Sequence, residues 1–435
     1  MQLNDKRVIN GWAYFDWANS AYYLVISTAI FPIYFSNVTE DHIHILGGTI
    51  SNTALYSFSV SAAYILIAFL SPLLSGIADY TGRRMYFLKG FTLLGSVGCI
   101  ALFFFSSPET MWVGTAAFIM GTIGAAGGLV FYDSYLPIIA TEDQYDRVSA
   151  RGYAYGYVGS VLLLIVSLII IQKPDWFGIT SPTLPSRISF VMVGLWWLGF
   201  AQITFRRLPP DVRVSYTGKL FKHGVKELKH VFQIIKKDRD IKRFLASYFF
   251  YIAGVQTVIY LASLFASREL GFKDAELIVT ILLLQLVAIP GALLFARISK
   301  WKGNKFSLLI QLVIWIIICA GAFLTTSKWE FFSIAGLVGL VLGGIQSLSR
   351  STYAKLLEDR DDDPTSFFSF YDVLSKIAIV SGTFIFGLVN SITGNMRYSV
   401  LTLAVFFVIG FILLWTVEKG RINTEEKRES VNRES

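Results

Sequence analysis

The chain has few charged residues and very few cysteines, and each shortage excludes a class of protein. Only 16% of its 435 residues are charged and 54% are hydrophobic, whereas soluble domains carry about 25% charged residues. Its two cysteines, Cys99 and Cys319, both fall in apolar stretches, so neither a disulfide framework nor a cysteine metal site is expected. This composition predicts a multi-pass membrane protein.

Histidine is also scarce, and the motifs of hydrolytic enzymes are missing. The four histidines, His42, His44, His223 and His230, all fall between the apolar stretches. Neither His-Glu-x-x-His nor Gly-x-Ser-x-Gly occurs in the sequence. We therefore expect no enzyme activity, no catalytic or metal site and no cofactor.

Apolar runs divide the chain into twelve candidate spans, each long enough to cross a hydrocarbon core of about 30 Å as a helix. The first run is too long for a signal peptide and lacks a small-residue cleavage site, so we interpret it as a retained span. The predicted spans are 12–36, 51–76, 86–106, 111–139, 152–172, 187–206, 244–267, 275–298, 305–326, 331–353, 370–391 and 397–417.

Positive charge is distributed unevenly around these spans. If the N-terminus is cytoplasmic, 31 of the 38 lysines and arginines lie on the cytoplasmic side and six on the outer side, with Lys376 inside a span. Such a bias orients membrane proteins, so we expect both termini in the cytoplasm and the chain in a bacterial plasma membrane. The net charge of +8 is then an orientation signal, and the partner it implies is the lipid bilayer and not nucleic acid.

A basic segment over residues 206–243, with twelve lysines and arginines, separates the spans into six and six. Four lysines, Lys219, Lys222, Lys226 and Lys229, recur there at helical spacing beside apolar residues. This pattern predicts an amphipathic helix at the membrane surface. Its lysines either contact lipid headgroups or form a solvated face. The expected domains are an N-terminal bundle over 1–206, a linker over 207–243, a C-terminal bundle over 244–418 and a disordered tail over 419–435.

The loop between the second and third spans carries a charged motif, Gly76-Ile77-Ala78-Asp79-Tyr80-Thr81-Gly82-Arg83-Arg84. It resembles the signature Gly-x-x-x-Asp-x-x-Gly-Arg-Arg/Lys of the major facilitator superfamily. The alternative is a basic turn that only orients the chain. The resemblance implies that Asp79 meets the start of the eleventh span and helps close the cytoplasmic side, where the N-terminal amides of a helix favour an anion. The expected gating residues are Gly76, Asp79, Gly82, Arg83, Arg84, Asp372 and Lys376.

Several polar side chains fall within spans, where a charge costs about 2.5–3.5 kcal/mol on insertion scales. In the first span Asp16, Asn19 and Tyr23 recur at spacings of three and four and form one polar stripe. Spans four, seven and ten carry polar residues of the same kind. The expected substrate-binding residues are Asp16, Asn19, Tyr23, Asp133, Gln256, Tyr260, Gln346 and Arg350.

Each charged residue of this set also has a structural interpretation. Asp16 can be a buried acid tied to a neighbouring helix, and Asp133 can pair with a nearby arginine. Arg350 lies close enough to the inner face to reach it by snorkelling. Asp372 and Lys376 are one helical turn apart and can pair with each other. The sequence leaves these alternatives open.

The two halves of the chain carry traces of a repeat. Gly127-Gly128-Leu129 in the fourth span recurs as Gly343-Gly344-Ile345 in the tenth. The loop over 297–305 stands where the charged motif would repeat, but Lys300 occupies the place of the acid. The spans and these repeats predict an all-α membrane protein with twelve transmembrane helices in two pseudo-symmetric six-helix bundles, and the resemblance of the charged motif implies that this is the major facilitator fold.

Further stretches are similar to one family of that superfamily, the "unknown major facilitator" transporters related to the autophagy-linked vacuole effluxers of fungi. The most specific are Asp16-Trp17-Ala18-Asn19-Ser20 and Gly343-Gly344-Ile345-Gln346-Ser347-Leu348-Ser349-Arg350. Others are 147–153, 254–257 and 287–291. The resemblance implies a twelve-span fold, alternating access and efflux of amino acids.

The chain departs from the family pattern at Ile252-Ala253, where many relatives carry Asn-Asp, and at Lys300, where an acid is usual. Coupling to a proton or cation through Asp16 or Asp133, and uncoupled transport, both stay open. The leading hypothesis is a secondary active or facilitative transporter of a small polar solute, with an amino acid as one candidate. The alternative is a non-transporting membrane receptor or assembly subunit on the same fold.

Overall fold

The computed structural model describes residues 2–45, 48–211, 220–358 and 363–418, most of them in helices. Within these residues twelve helical segments are long and apolar enough to cross a membrane, as predicted. In lipid every backbone amide and carbonyl must be satisfied inside the segment, which a helix achieves. The predicted tail over 419–435 lies outside the described residues.

The first half of the chain forms eight helices and a short hairpin. A π-helix over Tyr22–Ile30 joins α1 to α2, and strands β1 (His42–Ile45) and β2 (Gly48–Ser51) pair antiparallel. The helices are α1 (Lys6–Ala21), α2 (Phe31–Val38), α3 (Asn52–Thr81), α4 (Arg84–Ala101), α5 (Met111–Asp133), α6 (Leu136–Ile139), α7 (Tyr145–Gln172) and α8 (Leu184–Arg207).

The described residues of the second half form seven helices joined by short connections. Its first helix, α9, lies in the predicted basic linker, and the other six are long apolar helices. They are α9 (Leu220–Lys237), α10 (Arg239–Leu270), α11 (Asp274–Lys302), α12 (Asn304–Leu324), α13 (Lys328–Leu357), α14 (Pro364–Thr393) and α15 (Met396–Trp415).

The chain divides into two compact units. The first unit comprises residues 6–134 and 155–226. In it α4 and α5 pack backbone to backbone, because a Cβ added at Gly98 would lie 2.6 Å from the amide nitrogen of Gly121. Such close approach of small residues is a common way for membrane helices to associate.

The second unit comprises residues 2–5, 135–154 and 227 onwards. Helices α11 and α13 approach closely in it, since a Cβ at Gly339 would lie 2.5 Å from the carbonyl oxygen of Leu284. Residues 135–154, called here the 135–154 segment, belong to this unit although they lie in the first half of the chain. Ala150 and Tyr153 of the segment pack against Ala292 and Ala296 of α11.

Candidate functional site

The first unit buries the acid of the first span. Asp16 is 6% exposed, and the hydroxyl of Tyr132 on α5 donates to its Oδ2 at 2.7 Å. The Trp12 ring stacks on the Tyr132 ring with centroids 4.5 Å apart, and its Nε1 donates to the Tyr132 carbonyl at 3.0 Å. Trp12 and Asp16, one turn apart on α1, therefore both contact Tyr132 of α5.

One turn further along α1, Asn19 is also buried. It is 1% exposed, and its Oδ1 accepts no hydrogen bond from any of the residues that the structure describes. An unmade hydrogen bond of a buried polar atom costs about 1–3 kcal/mol. Helix α7 passes close by, because a Cβ at Gly156 would meet the Asp16 carbonyl oxygen at 3.3 Å. Asp16 and Asn19 thus lie about one turn apart on α1 and are both buried within one unit.

The π-helix begins where this polar group ends. Tyr23, half-buried, lies in its first turn, and the Thr28 hydroxyl donates to the Tyr23 carbonyl at 2.8 Å. The wider π turn changes the angle between successive side chains, so the stripe predicted from α-helical spacing does not continue unchanged past Ser20. Short π-helices are rare and occur frequently at functional sites. The sequence analysis did not predict this one.

Asp133 ends α5 at the edge of the first unit. Its side chain is half-buried, and Ser134 and Tyr135 after it are buried. The helix stops here, and the short helix α6 follows after a two-residue turn. Asp133 therefore lies where the chain passes from the first unit to the second.

In the second unit, Arg350 is 2% exposed and points at the 135–154 segment. Its Nε donates to the Ser149 hydroxyl at 2.9 Å and its Nη2 to the Ser149 carbonyl at 3.0 Å. The guanidinium also lies over the Tyr153 ring, 4.5 Å from the centroid. The Ser149 hydroxyl donates in turn to the Ser347 carbonyl at 2.7 Å. Ser149 and the Tyr153 ring thus both contribute to stabilising the buried positive charge.

The other predicted binding residues of this unit are less enclosed. Gln346, one turn before Arg350 on α13, and Gln256 on α10 are half-buried, and Tyr260 is 40% exposed. Between α10 and α13, the hydroxyls of Tyr251 and Ser349 are 2.7 Å apart. These side chains supply amide and hydroxyl groups within the unit.

The charged motif forms a turn in the first unit. Gly82 has φ +67°, a conformation that favours glycine, and it lets the chain reverse between α3 and α4. Asp79 and Arg84 pair across this turn with Oδ1 and Nη2 3.8 Å apart, and Arg83 donates its amide to the Ala78 carbonyl at 3.1 Å. A Cβ at Gly76 would lie 2.6 Å from a backbone oxygen of α9.

Asp372 and Lys376 form an ion pair on α14, which confirms that the two residues pair along one helix. The lysine side chain is 6% exposed and the aspartate side chain 19%. Both charges therefore lie within a mostly dry environment and neutralise each other, as a membrane span requires.

A larger polar network, which the sequence analysis missed, surrounds Asp146 of the 135–154 segment. Asp146 is 7% exposed and accepts from the Lys355 Nζ at 2.8 Å, from the Asn304 Nδ2 at 2.8 Å and from the Ser299 hydroxyl at 2.8 Å. Lys355 also donates to the Asn304 Oδ1 at 2.7 Å. Three helices of the second unit, α11, α12 and α13, thus converge on one carboxylate from the first half of the chain.

The missing acid of the 297–305 loop was the signal that could have revealed this network. Ser299 and Asn304 flank Lys300, which stands where the first-half motif has its aspartate. Asp146 supplies a carboxylate to that loop from a distant part of the sequence, 153 residues from Ser299 and 158 from Asn304.

The chain is similar to known proteins along most of its length. The family profile "Vacuole effluxer Atg22 like" matches residues 4–427. The uncharacterized MFS-type transporter YxiO of Bacillus subtilis (strain 168) is 31% identical over 407 residues, 93% of this chain and 93% of its own. Autophagy-related protein 22-1 of Phaeosphaeria nodorum is 24% identical and covers 96% of this chain and 91% of its own.

Solved structures of the superfamily share the fold. FucP in the outward conformation superposes with a TM-score of 0.72 at 11% identity, over 95% of this chain and 98% of FucP. The proton:xylose symporter XylE gives 0.70 at 14% identity, over 97% and 98%. The twelve-span fold is thus the one seen in transporters of the major facilitator superfamily, and the match to YxiO along 93% of the chain places the chain in that superfamily. Within that superfamily, the chain belongs to the Atg22-like vacuole effluxer family.

Proposed function

We propose that the chain moves a small polar solute, with an amino acid as the favoured class, across the bacterial plasma membrane by alternating access. The observation that carries this proposal is the buried pair Asp16 and Asn19. A buried carboxylate is costly unless hydrogen bonds compensate, and Tyr132 provides one. The adjacent Asn19 Oδ1 has no partner within the described residues, which supports a ligand at this position.

The chemistry of the buried charges favours a zwitterion. Asp16 and Asn19 offer oxygen acceptors to an ammonium group, and Arg350 offers donors to a carboxylate. Each such charge-assisted hydrogen bond is roughly twice as strong as a neutral one. The proposed binding residues also include Tyr23 and Asp133 of the first unit and Gln256, Tyr260 and Gln346 of the second, which offer hydroxyl, carboxylate and amide groups.

Binding at Arg350 would compete with an existing contact. Its Nε and Nη2 donate to Ser149 of the 135–154 segment, so a carboxylate that takes those donors displaces the serine. A ligand shifts a conformational equilibrium only through different contacts in the two states, and this exchange supplies such a difference. We propose that the docked segment closes the cytoplasmic end of the pathway.

The charged motif and the α14 ion pair complete the proposed gate. Its members are Gly76, Asp79, Gly82, Arg83, Arg84, Asp372 and Lys376. The proposed orientation has both termini and the linker in the cytoplasm, and the family description supports export as the direction. Transport is either uncoupled or coupled to a proton or cation through Asp16 or Asp133.

Thermal unfolding of the purified protein with a panel of amino acids, sugars, nucleosides and peptides tests this function. A ligand at one hundred times its Kd stabilises the folded state by about 2.7 kcal/mol, so an amino acid should raise the Tm. Asp16→Asn should abolish that rise, while Glu276→Gln, at an acid whose side chain is 34% exposed, should leave it intact. Stabilisation by a sugar or nucleoside alone would contradict the proposed substrate class.

A further inference from the structure

Helix α9 presents a basic face that the proposed transport cycle does not use. At 100° per residue, its exposed lysines and two exposed phenylalanines share an arc of about 160°. Phe221 is 66% exposed and Phe232 is 55% exposed, and both lie at one edge of this arc. The sole acid of α9 as described, Glu227, lies outside it. The exposed lysines are Lys222, Lys226, Lys229, Lys236 and Lys237.

The opposite side of α9 packs on the end of α3. A Cβ at Gly224 would lie 3.0 Å from the Ile77 Cγ1 and 3.3 Å from the Leu73 carbonyl oxygen. The rings of His223 and Tyr80 stack with their centroids 4.2 Å apart. This packing sets which side of the first turns of α9 faces α3, and the lysines of the basic arc stay exposed. At the edge of the arc, the Phe232 ring also lies 6.2 Å from the Phe370 ring of α14.

The part of α3 that α9 covers continues a lipid-facing stripe. Leu66 is 46% exposed and Phe69 is 77% exposed, and both share a helix face with Leu73 and Gly76. Large apolar side chains exposed on a membrane span face acyl chains. Gly76 lies seven residues beyond Phe69, about 10 Å further along the α3 axis. Since Phe69 faces the acyl chains, this distance places Gly76 and the adjoining α9 at the level of the headgroups.

We propose that α9 is an interfacial helix whose basic arc binds the headgroups of anionic phospholipids. Phe221 and Phe232, at the edge of the arc, then enter the boundary between headgroups and acyl chains, as in other surface helices. Charge complementarity selects the lipid, because each lysine near an anionic surface adds about fivefold to the affinity.

The test uses the intact purified protein and two lipids, phosphatidylglycerol and phosphatidylcholine, with bound lipid counted by native mass spectrometry. The wild type should retain phosphatidylglycerol in preference to phosphatidylcholine. Lys226→Gln combined with Lys229→Gln should weaken phosphatidylglycerol retention on the order of tenfold or more. The matched control, Lys300→Gln with Lys302→Gln, removes the same charge from exposed positions outside α9 and should change it much less.

Phe221→Gln provides a second variant that keeps every charge. It should weaken the retention of phosphatidylglycerol and leave the lipid-free Tm unchanged, because the side chain is exposed. Equal retention of the two lipids by the wild type would overturn the proposal. So would an equal loss in the α9 pair and the control pair, which would show only a general effect of surface charge.

Discussion

Removing the charge of Asp146 should release the 135–154 segment from its docking site. The carboxylate is buried, and its partner Lys355 is 5% exposed. Loss of one member of a buried, hydrogen-bonded ion pair costs about 3–5 kcal/mol. Since each 1.4 kcal/mol is a factor of ten, Asp146→Asn should raise the ratio of undocked to docked segment by roughly a hundredfold or more.

Cysteine labelling measures this release, and the chain suits the method. Both native cysteines, Cys99 and Cys319, are fully buried, so their background reactivity should be low. Ser347 is also fully buried, and its carbonyl accepts from the segment. A cysteine at Ser347 should therefore react slowly with a water-soluble maleimide in the parent protein and much faster with Asp146→Asn added.

A surface ion pair of the same unit provides the control. Lys328 pairs with Glu276 with their side chains 37% and 34% exposed, and such pairs contribute about 0–1 kcal/mol. Lys328→Met should leave labelling at Ser347 unchanged. An unchanged rate in Asp146→Asn as well would refute the reasoning, because the carboxylate would then not hold the segment in place.

Two further predictions concern packing and topology. Gly98→Val should lower the Tm by several degrees or prevent folding, because its Cβ would lie 2.6 Å from a backbone nitrogen of α5. Gly90→Val should have little effect, since a Cβ there would meet nothing within 4 Å. Equal Tm values for the two variants would contradict the close packing of α4 on α5. In intact cells, a cysteine at Asn37 should react with an impermeant reagent and one at Thr217 should not, and labelling at Thr217 from outside would reverse the proposed orientation.

The fold was predictable because its main signal is local. Each span is a run of apolar residues long enough to cross a bilayer, and the glycine repeats and the motif around Asp79 indicated a two-bundle transporter. The pairing of Asp372 with Lys376 was predictable for the same reason, since one helical turn separates them. Helix α9 followed from the spacing of its lysines.

The Asp146 network was not predictable from local pattern. Its carboxylate and Lys355 are 209 residues apart, so only the tertiary packing of α11, α12 and α13 brings the donors together. The π-helix over Tyr22–Ile30 was not predicted either, because these residues have the composition of an ordinary apolar span.

The measurement that tests the central claim most directly is counterflow in proteoliposomes with an amino acid and its decarboxylated amine. If Arg350 binds the carboxylate, the wild type should prefer the amino acid, and Arg350→Gln should transport the two solutes with similar, low efficiency. Loss of the carboxylate should thus matter only while Arg350 is present. Equal discrimination between the two solutes in both proteins would contradict the proposed site.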